Sequence, residues 1–178
     1  MKKKKIIFLD IDGVLNHEQW FCWRYYNIKN GTSLRTSYIE EGFSDRESTL
    51  LSMIDERSVA NLNHIINETG ADIVLSSSWR STVDSEENTL TNFILVKKGL
   101  IKEFYDVTPM CGKKRGGEIE QWLNSQKDRD AINYVIIDDD TDMLDNQKDN
   151  FVNVDAFVGL TWHDAEKAIE ILNKNDDL

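Results

Sequence analysis

Proline occurs once in this 178-residue chain, at Pro109, and cysteine twice, at Cys22 and Cys111. With so little proline, no low-complexity stretch and no internal repeat, the chain shows no linker or domain boundary, and its length suits one domain carrying insertions. Two cysteines far apart and without metal-type spacing indicate neither a disulfide framework nor a zinc site, and fit a reducing, cytoplasmic setting. No stretch approaches the ~20 apolar residues of a membrane span. The opening MKKKKIIFL holds too short an apolar run before Asp10 for the core of a signal peptide, and its lysines read as a solvated tail. Positive charge is scarce too. The 21 Lys and Arg against 32 Asp and Glu leave a net charge of −11, which disfavours attachment to nucleic acid by general electrostatics and leaves room only for a local basic groove.

What is present are short aliphatic runs that end in polar residues. Ile6–Leu9, Ile73–Leu75 and Val135–Ile137 have the pattern of strands buried on both faces, and each stops at Asp or Ser. Weaker strand candidates are Phe104–Val107 and Ala156–Val158. Between them lie helical patterns. Glu56 to Glu68 carries Val59, Leu62, Ile65 and Ile66 on one stripe and is stopped by Gly70; Gly117 to Ser125 carries Ile119, Trp122 and Leu123; Asp164 to Asn173 follows a cap at Thr161 or Asp164. Strands alternating with helices predict an open α/β three-layer sandwich with a parallel sheet, Rossmann-like in its winding. Residues 17–52 break the alternation and are expected to form a flap or insertion after the first strand. Their aromatics, Trp20 to Tyr26, are read as packing within that flap rather than as platforms for bases.

In a sheet of this kind ligands bind beyond the carboxyl ends of the strands. Asp10 and Asp12 end the first strand, Ser76 (with Ser77 and Ser78) the second, and Asp138, Asp139, Asp140 and Asp142 the third. Carboxylates converging there would repel one another unless a cation sat among them, and a hard oxygen-bound divalent ion with a substrate phosphate describes Mg²⁺. Asp10 and Asp12 share a parity on an extended chain, and Gly13 allows the backbone to turn and a ligand to approach. A calcium loop is the competing reading of Asp138, Asp140 and Asp142. It requires Gly and Glu where Met143 and Asp149 stand, and a helix where a strand precedes.

The segments FLDIDGVL, IVLSSSW, KKRGGEI and VIIDDDTDM, in this order, resemble the four motifs of haloacid-dehalogenase-like (HAD) phosphohydrolases. More narrowly, LSSSWR, RGGEIEQWL and GLTWHDAEKAIEIL resemble the phosphatase domains of Swiss Army Knife RNA-repair proteins, relatives of polynucleotide 3′-phosphatases. The resemblance implies that Asp10 is a nucleophile forming an aspartyl-phosphate and that Asp12 is the general acid and base. It implies Mg²⁺ held by the Asp10 carboxylate, the Asp12 main-chain carbonyl and Asp138 or Asp139, and Ser76 on a phosphoryl oxygen. Gly13, Ser77, Arg80 and Lys113 are the further substrate-binding candidates, with Arg80 expected near substrate phosphate. The third-motif cation is open between Lys114 and Arg115.

The implied activity is that of a Mg²⁺-dependent phosphomonoesterase acting on a nucleic-acid 3′-phosphate end or a nucleotide. The alternatives are a small-metabolite phosphatase and a catalytically silent phosphate- or metal-binding module. Neither a membrane nor an obligate protein partner is indicated. Lys113–Arg115, Arg80, Arg24 and Arg35 offer the only positive track. His17, His64 and His163 are scattered and receive no catalytic role, and Trp79 and Trp122 are read as packing.

Overall fold

A computed structural model describes residues 3–80 and 85–174. Five parallel strands, β1 (Lys4–Leu9), β2 (Asp72–Leu75), β3 (Asp106–Val107), β4 (Ile132–Asp138) and β5 (Phe151–Asn153), lie in the order β3-β2-β1-β4-β5. The chain works outward from β1 through β2 to β3, then crosses back to β4, so the winding reverses between β1 and β4. That reversal opens a crevice beyond their carboxyl ends.

Among the described residues seven α-helices accompany the strands: α1 (Glu18–Lys29), α2 (Leu34–Glu40), α3 (Asp45–Met53), α4 (Glu56–Thr69), α5 (Ser85–Lys97), α6 (Arg115–Ser125) and α7 (Trp162–Asn173). The period-two alternation of the strands divides the core between the sheet's two faces. Ile7, Leu9, Ile73, Leu75, Val135 and Ile137 share one core with Leu62 and Ile65 of α4 and Ala168 and Leu172 of α7. Ile6, Phe8, Val74 and Ile136 pack on the other face against Ile119, Trp122 and Leu123 of α6, where Phe8 meets Trp122 edge-on at 5.3 Å. Each fully buried side chain of this size contributes ~1.5–3 kcal/mol, which is why the central strands read as unbroken aliphatic runs.

Local signals set the helix ends. Asp55 caps α4 through the Arg57 amide, and Gly70 closes that helix at φ +69°. Thr161 is the N-cap of α7, with Asp164 bonding back to the Thr161 amide, so one residue caps and the other completes the box. Two expectations are corrected. Ala156–Val158 forms a turn, closed by Val158 and Gly159 amides on Asp155 O, because the chain has already paired as β5 one turn earlier. Of Phe104–Val107 only Asp106 and Val107 pair with β2. Residues 17–52 are three helices, tied down by Trp20 Nε1 on Ser52 O and by ring contacts from Phe43 to Tyr38 and to Phe93 of α5. Within the aromatic run only Trp20 is buried; Phe21, Trp23, Tyr25 and Tyr26 are exposed, against the packing reading.

Candidate active site

The strand ladders run past their ends and deliver the polar residues to one place. Asp10 N bonds Ile137 O, and Ser76 N bonds Leu9 O, so both residues stand one step beyond the sheet at the reversal point. Asp138 ends β4 beside them. Asp10, Asp138 and Asp139 each present a carboxylate oxygen within 4.8 Å of the others. Gly13 makes this possible: it turns at φ +72°, and a Cβ there would lie 2.4 Å from the Asp139 carboxylate.

Arg115, in the first turn of α6, folds back over these acids. Its guanidinium lies 3.1 Å from Asp10 Oδ1 and 3.2 Å from Asp138 Oδ2, and donates to Ser76 O. Its amide also bonds Asp142 Oδ2 at 3.2 Å. Gly116 lets α6 come this close, since a Cβ there would meet Gln147 Oε1 and the Leu144 amide at 2.6 Å. Despite the guanidinium, Asp10 Oδ1 and Asp138 Oδ2 have no aligned hydrogen bond among the described residues. Burial, only partly countered by Arg115, pushes the Asp10 carboxyl up to about 7, with Ser77 donating to it and Asp12 and Asp139 repelling it. Burial, followed by repulsion from Asp10, pushes Asp138 up to about 8. Burial raises Asp139 as well. Mutually repelling carboxylates, two of whose buried oxygens have no donor among the described residues, fit a hard divalent cation: Asp10, Asp138 and Asp139 would hold it.

Asp12 is treated differently. Its exposed carboxylate accepts from Asn16 Nδ2 at 2.8 Å, Trp79 Nε1 at 2.9 Å and Ser78 Oγ at 2.9 Å. Asn16 Oδ1 in turn accepts from the Gly13 amide at 3.1 Å. The Asp12 carboxylate therefore stands outside the acidic cluster, held by three donors. Of these donors the sequence reading named only Ser78, among the strand-end polar residues; Trp79 was read as packing and Asn16 was not singled out, although Ser78 and Trp79 follow three and four residues past the end of β2.

The remaining candidates sort by geometry. Arg115, not Lys114, faces the carboxylates; Lys114 is the exposed N-cap residue of α6 and Lys113 reaches Gln121 Oε1 at 3.3 Å. Ser77, not Ser76, bonds Asp10, while the Ser76 hydroxyl accepts from Thr108 Oγ1 at 3.1 Å. Arg80, expected near substrate phosphate, is buried with its donors spent on Thr108 O, Ser77 O and Glu118. Glu118 also accepts the Cys111 amide, so this pair fastens the loop between β3 and α6 beneath the site.

The parallel sheet, its reversal point and the acids gathered beyond the strand ends are consistent with the fold of the haloacid-dehalogenase-like superfamily, whose members are generally phosphohydrolases. Residues 6–165 match the family described as the HAD domain in Swiss Army Knife RNA repair proteins, and the chain belongs to that family. No curated protein and no solved structure matches it.

Proposed function

We propose that the chain is a Mg²⁺-dependent phosphomonoesterase that removes the phosphate from a nucleic-acid 3′ end or a nucleotide, in the cytoplasm, by way of an aspartyl-phosphate on Asp10. The observation that carries this reading is the buried Asp10 Oδ1, without a hydrogen bond among the described residues and facing the Arg115 guanidinium. An oxygen so placed is free to attack phosphorus while the guanidinium takes up charge on the phosphoryl oxygens. Mg²⁺ held by Asp10, Asp138 and Asp139 would neutralise the crowded oxygens so that a carboxylate can meet a phosphate dianion.

Attack by Asp10 forms the Asp10 O–P bond as the ester P–O bond breaks, and Asp12 gives its proton to the departing alcohol oxygen. Asp12 then takes a proton from water, whose oxygen bonds to phosphorus and releases Asp10 with inorganic phosphate. The donors around Asp12 hold its carboxylate in place between the two steps. The family's described setting in RNA repair supports a nucleic-acid end as substrate. The net charge of −11 favours the second reading, a small-metabolite phosphatase.

The test is phosphate release by the purified protein, with and without Mg²⁺. The panel is a 3′-phosphorylated oligonucleotide, a 5′-phosphorylated one, a mononucleotide and a sugar phosphate. Preference for the 3′ end is expected, preference for the small molecules would move the assignment to the second reading, and no turnover of any of them would leave a silent binding module.

A further inference from the structure

Helix α1 inverts the usual relation between side chain and solvent. An acid-poor helix rich in aromatics on every side is ordinarily buried, yet four of its five aromatics are exposed. The arrangement around Trp23 is specific. Its ring lies on that of Trp20 with centroids 4.8 Å apart and planes 15° from parallel. Trp20 is 9% exposed and anchored by its Nε1 on Ser52 O, whereas Trp23 is 46% exposed, so a fixed inner ring backs an outer ring that meets solvent.

A recess of about 280 Å³ borders this stack and is lined also by Asp55, Glu56 and Arg57. Both acids there are engaged, Asp55 by His17 and Arg57 and Glu56 by Lys98 at 2.7 Å. A second recess on Trp23 is lined by Arg24 and Arg35. From Gln19 to Ile39 there is no Asp or Glu within a chain of −11; of the basic residues there, Arg35 is paired with Asp45, whereas Arg24 donates to the neutral Ser52 hydroxyl at 2.7 Å and keeps its charge for a ligand.

We infer that Trp23, backed by Trp20, is a stacking platform for a base of single-stranded nucleic acid, with Arg24 beside it for a phosphate. Each base has an apolar π-face, and a ring already held parallel by a partner loses little freedom on receiving it. The position suits a strand whose end lies at Asp10. Helix α1 starts at the same sheet edge, where its Glu18 and Gln19 amides bond Ala156 O and Phe157 O, and Trp23 sits five residues on, about 8 Å along the axis. A second copy of the chain is the disfavoured occupant, because it would bring two bodies of −11 together across the patch. The inference rests on the nucleic-acid reading of the proposed function and names the side chains that would serve it.

The experiment compares the unaltered chain with Trp23→Ala and Trp23→Phe on two substrates, a 3′-phosphorylated single-stranded oligoribonucleotide and a small aryl phosphate. In parallel, fluorescence anisotropy follows binding of a labelled, unphosphorylated oligoribonucleotide. Expected in Trp23→Ala is a loss of oligonucleotide affinity, and a matching rise in its KM, of about tenfold or more. The aryl phosphate kcat/KM should stay within about twofold, and Trp23→Phe, which keeps a π-face, should fall between. Unchanged oligonucleotide affinity in Trp23→Ala, or a shift from dimer to monomer in that variant by sedimentation, would overturn the platform. Binding is read without turnover. A chain that binds through Trp23 but releases no phosphate therefore keeps the platform and loses the phosphatase, and one that cleaves the aryl phosphate without binding the oligonucleotide does the reverse.

Discussion

Asp10 and Asp138 at the strand ends and Asp55 at the foot of α4 are buried to the same degree, at 4%, 1% and 2% exposure, and their carboxyls move in opposite directions. Burial pushes all three up. At Asp55 that push is overcome by hydrogen bonds from His17 and Arg57, which hold it well below the usual carboxylate range. His17 Nε2 sits 3.0 Å from one oxygen, and Arg57 gives its amide and guanidinium at 2.8–3.2 Å. At Asp10 and Asp138 the neighbouring guanidinium is close but unaligned, and other acids crowd in. The difference teaches that burial alone says little about a carboxylate; its donors do. A satisfied carboxylate such as Asp55 builds structure, and an unsatisfied cluster is open to a cation and a phosphate.

The sharpest way to break the comparison is Asp10→Asn. On the proposed mechanism, turnover should fall by about a thousandfold or more while the fold is retained, as read by phosphate release and circular dichroism. Residual activity near the unaltered level would exclude Asp10 as nucleophile. Asp55→Ala should do the opposite, costing roughly 3 kcal/mol in denaturant melts because His17 is left buried without its partner, with kcat on a small phosphomonoester little changed.

In Trp79→Phe, which keeps the ring and removes the donor to Asp12, kcat is expected to drop about tenfold at constant KM. An unchanged kcat in Trp79→Phe would show that the bond to Asp12 does not matter. A last test is pH dependence, which reads both kinds of buried acid at once. In chelator the unfolded chain ionises Asp10 and Asp138 near 3.8, the folded chain near 7 and 8. Between those values the folded state holds protons that the unfolded state has released, so the melting temperature should fall as pH rises from about 4 to about 8, and Asp10→Asn should flatten the slope. Asp55 carries the reverse sign. Its contribution is complete above the ordinary carboxylate range and is lost as pH falls below it, so Asp55→Asn should weaken the acid-side decline.

Much of this was legible in the chain itself, for physical reasons that are local. Ile6–Leu9 is uniformly apolar because both of its faces are buried, and Asp10 and Asp12 mark where the strand ends. Gly70, Thr161 and Asp164 announce helix ends because capping acts within one turn. The parallel sheet and the gathering of strand-end acids at its edge follow from the alternation of such runs with helical patterns.

Other features depended on distance in space. Nothing in KKRGG says which cation turns inward; Arg115 does because α6 begins at Arg115 and lies over the ends of β1 and β4, with Gly116 admitting the contact. Likewise, SSSW does not reveal that Ser77 serves Asp10 while Ser78 and Trp79 serve Asp12, since that follows from how the turn after β2 faces the turn after β1. Arg80 looked like a phosphate ligand until Glu118, 38 residues away, claimed it. The aromatic run after His17 read as packing within the flap because local hydrophobicity cannot show whether a partner surface exists to cover it. By itself the sequence determined the three central strands and the polar residues at their ends, because short-range periodicity encodes burial. Tertiary structure alone decided which acids keep a donor, which cation faces them and which tryptophan meets solvent, because each of those depends on a neighbour brought in from elsewhere in the chain.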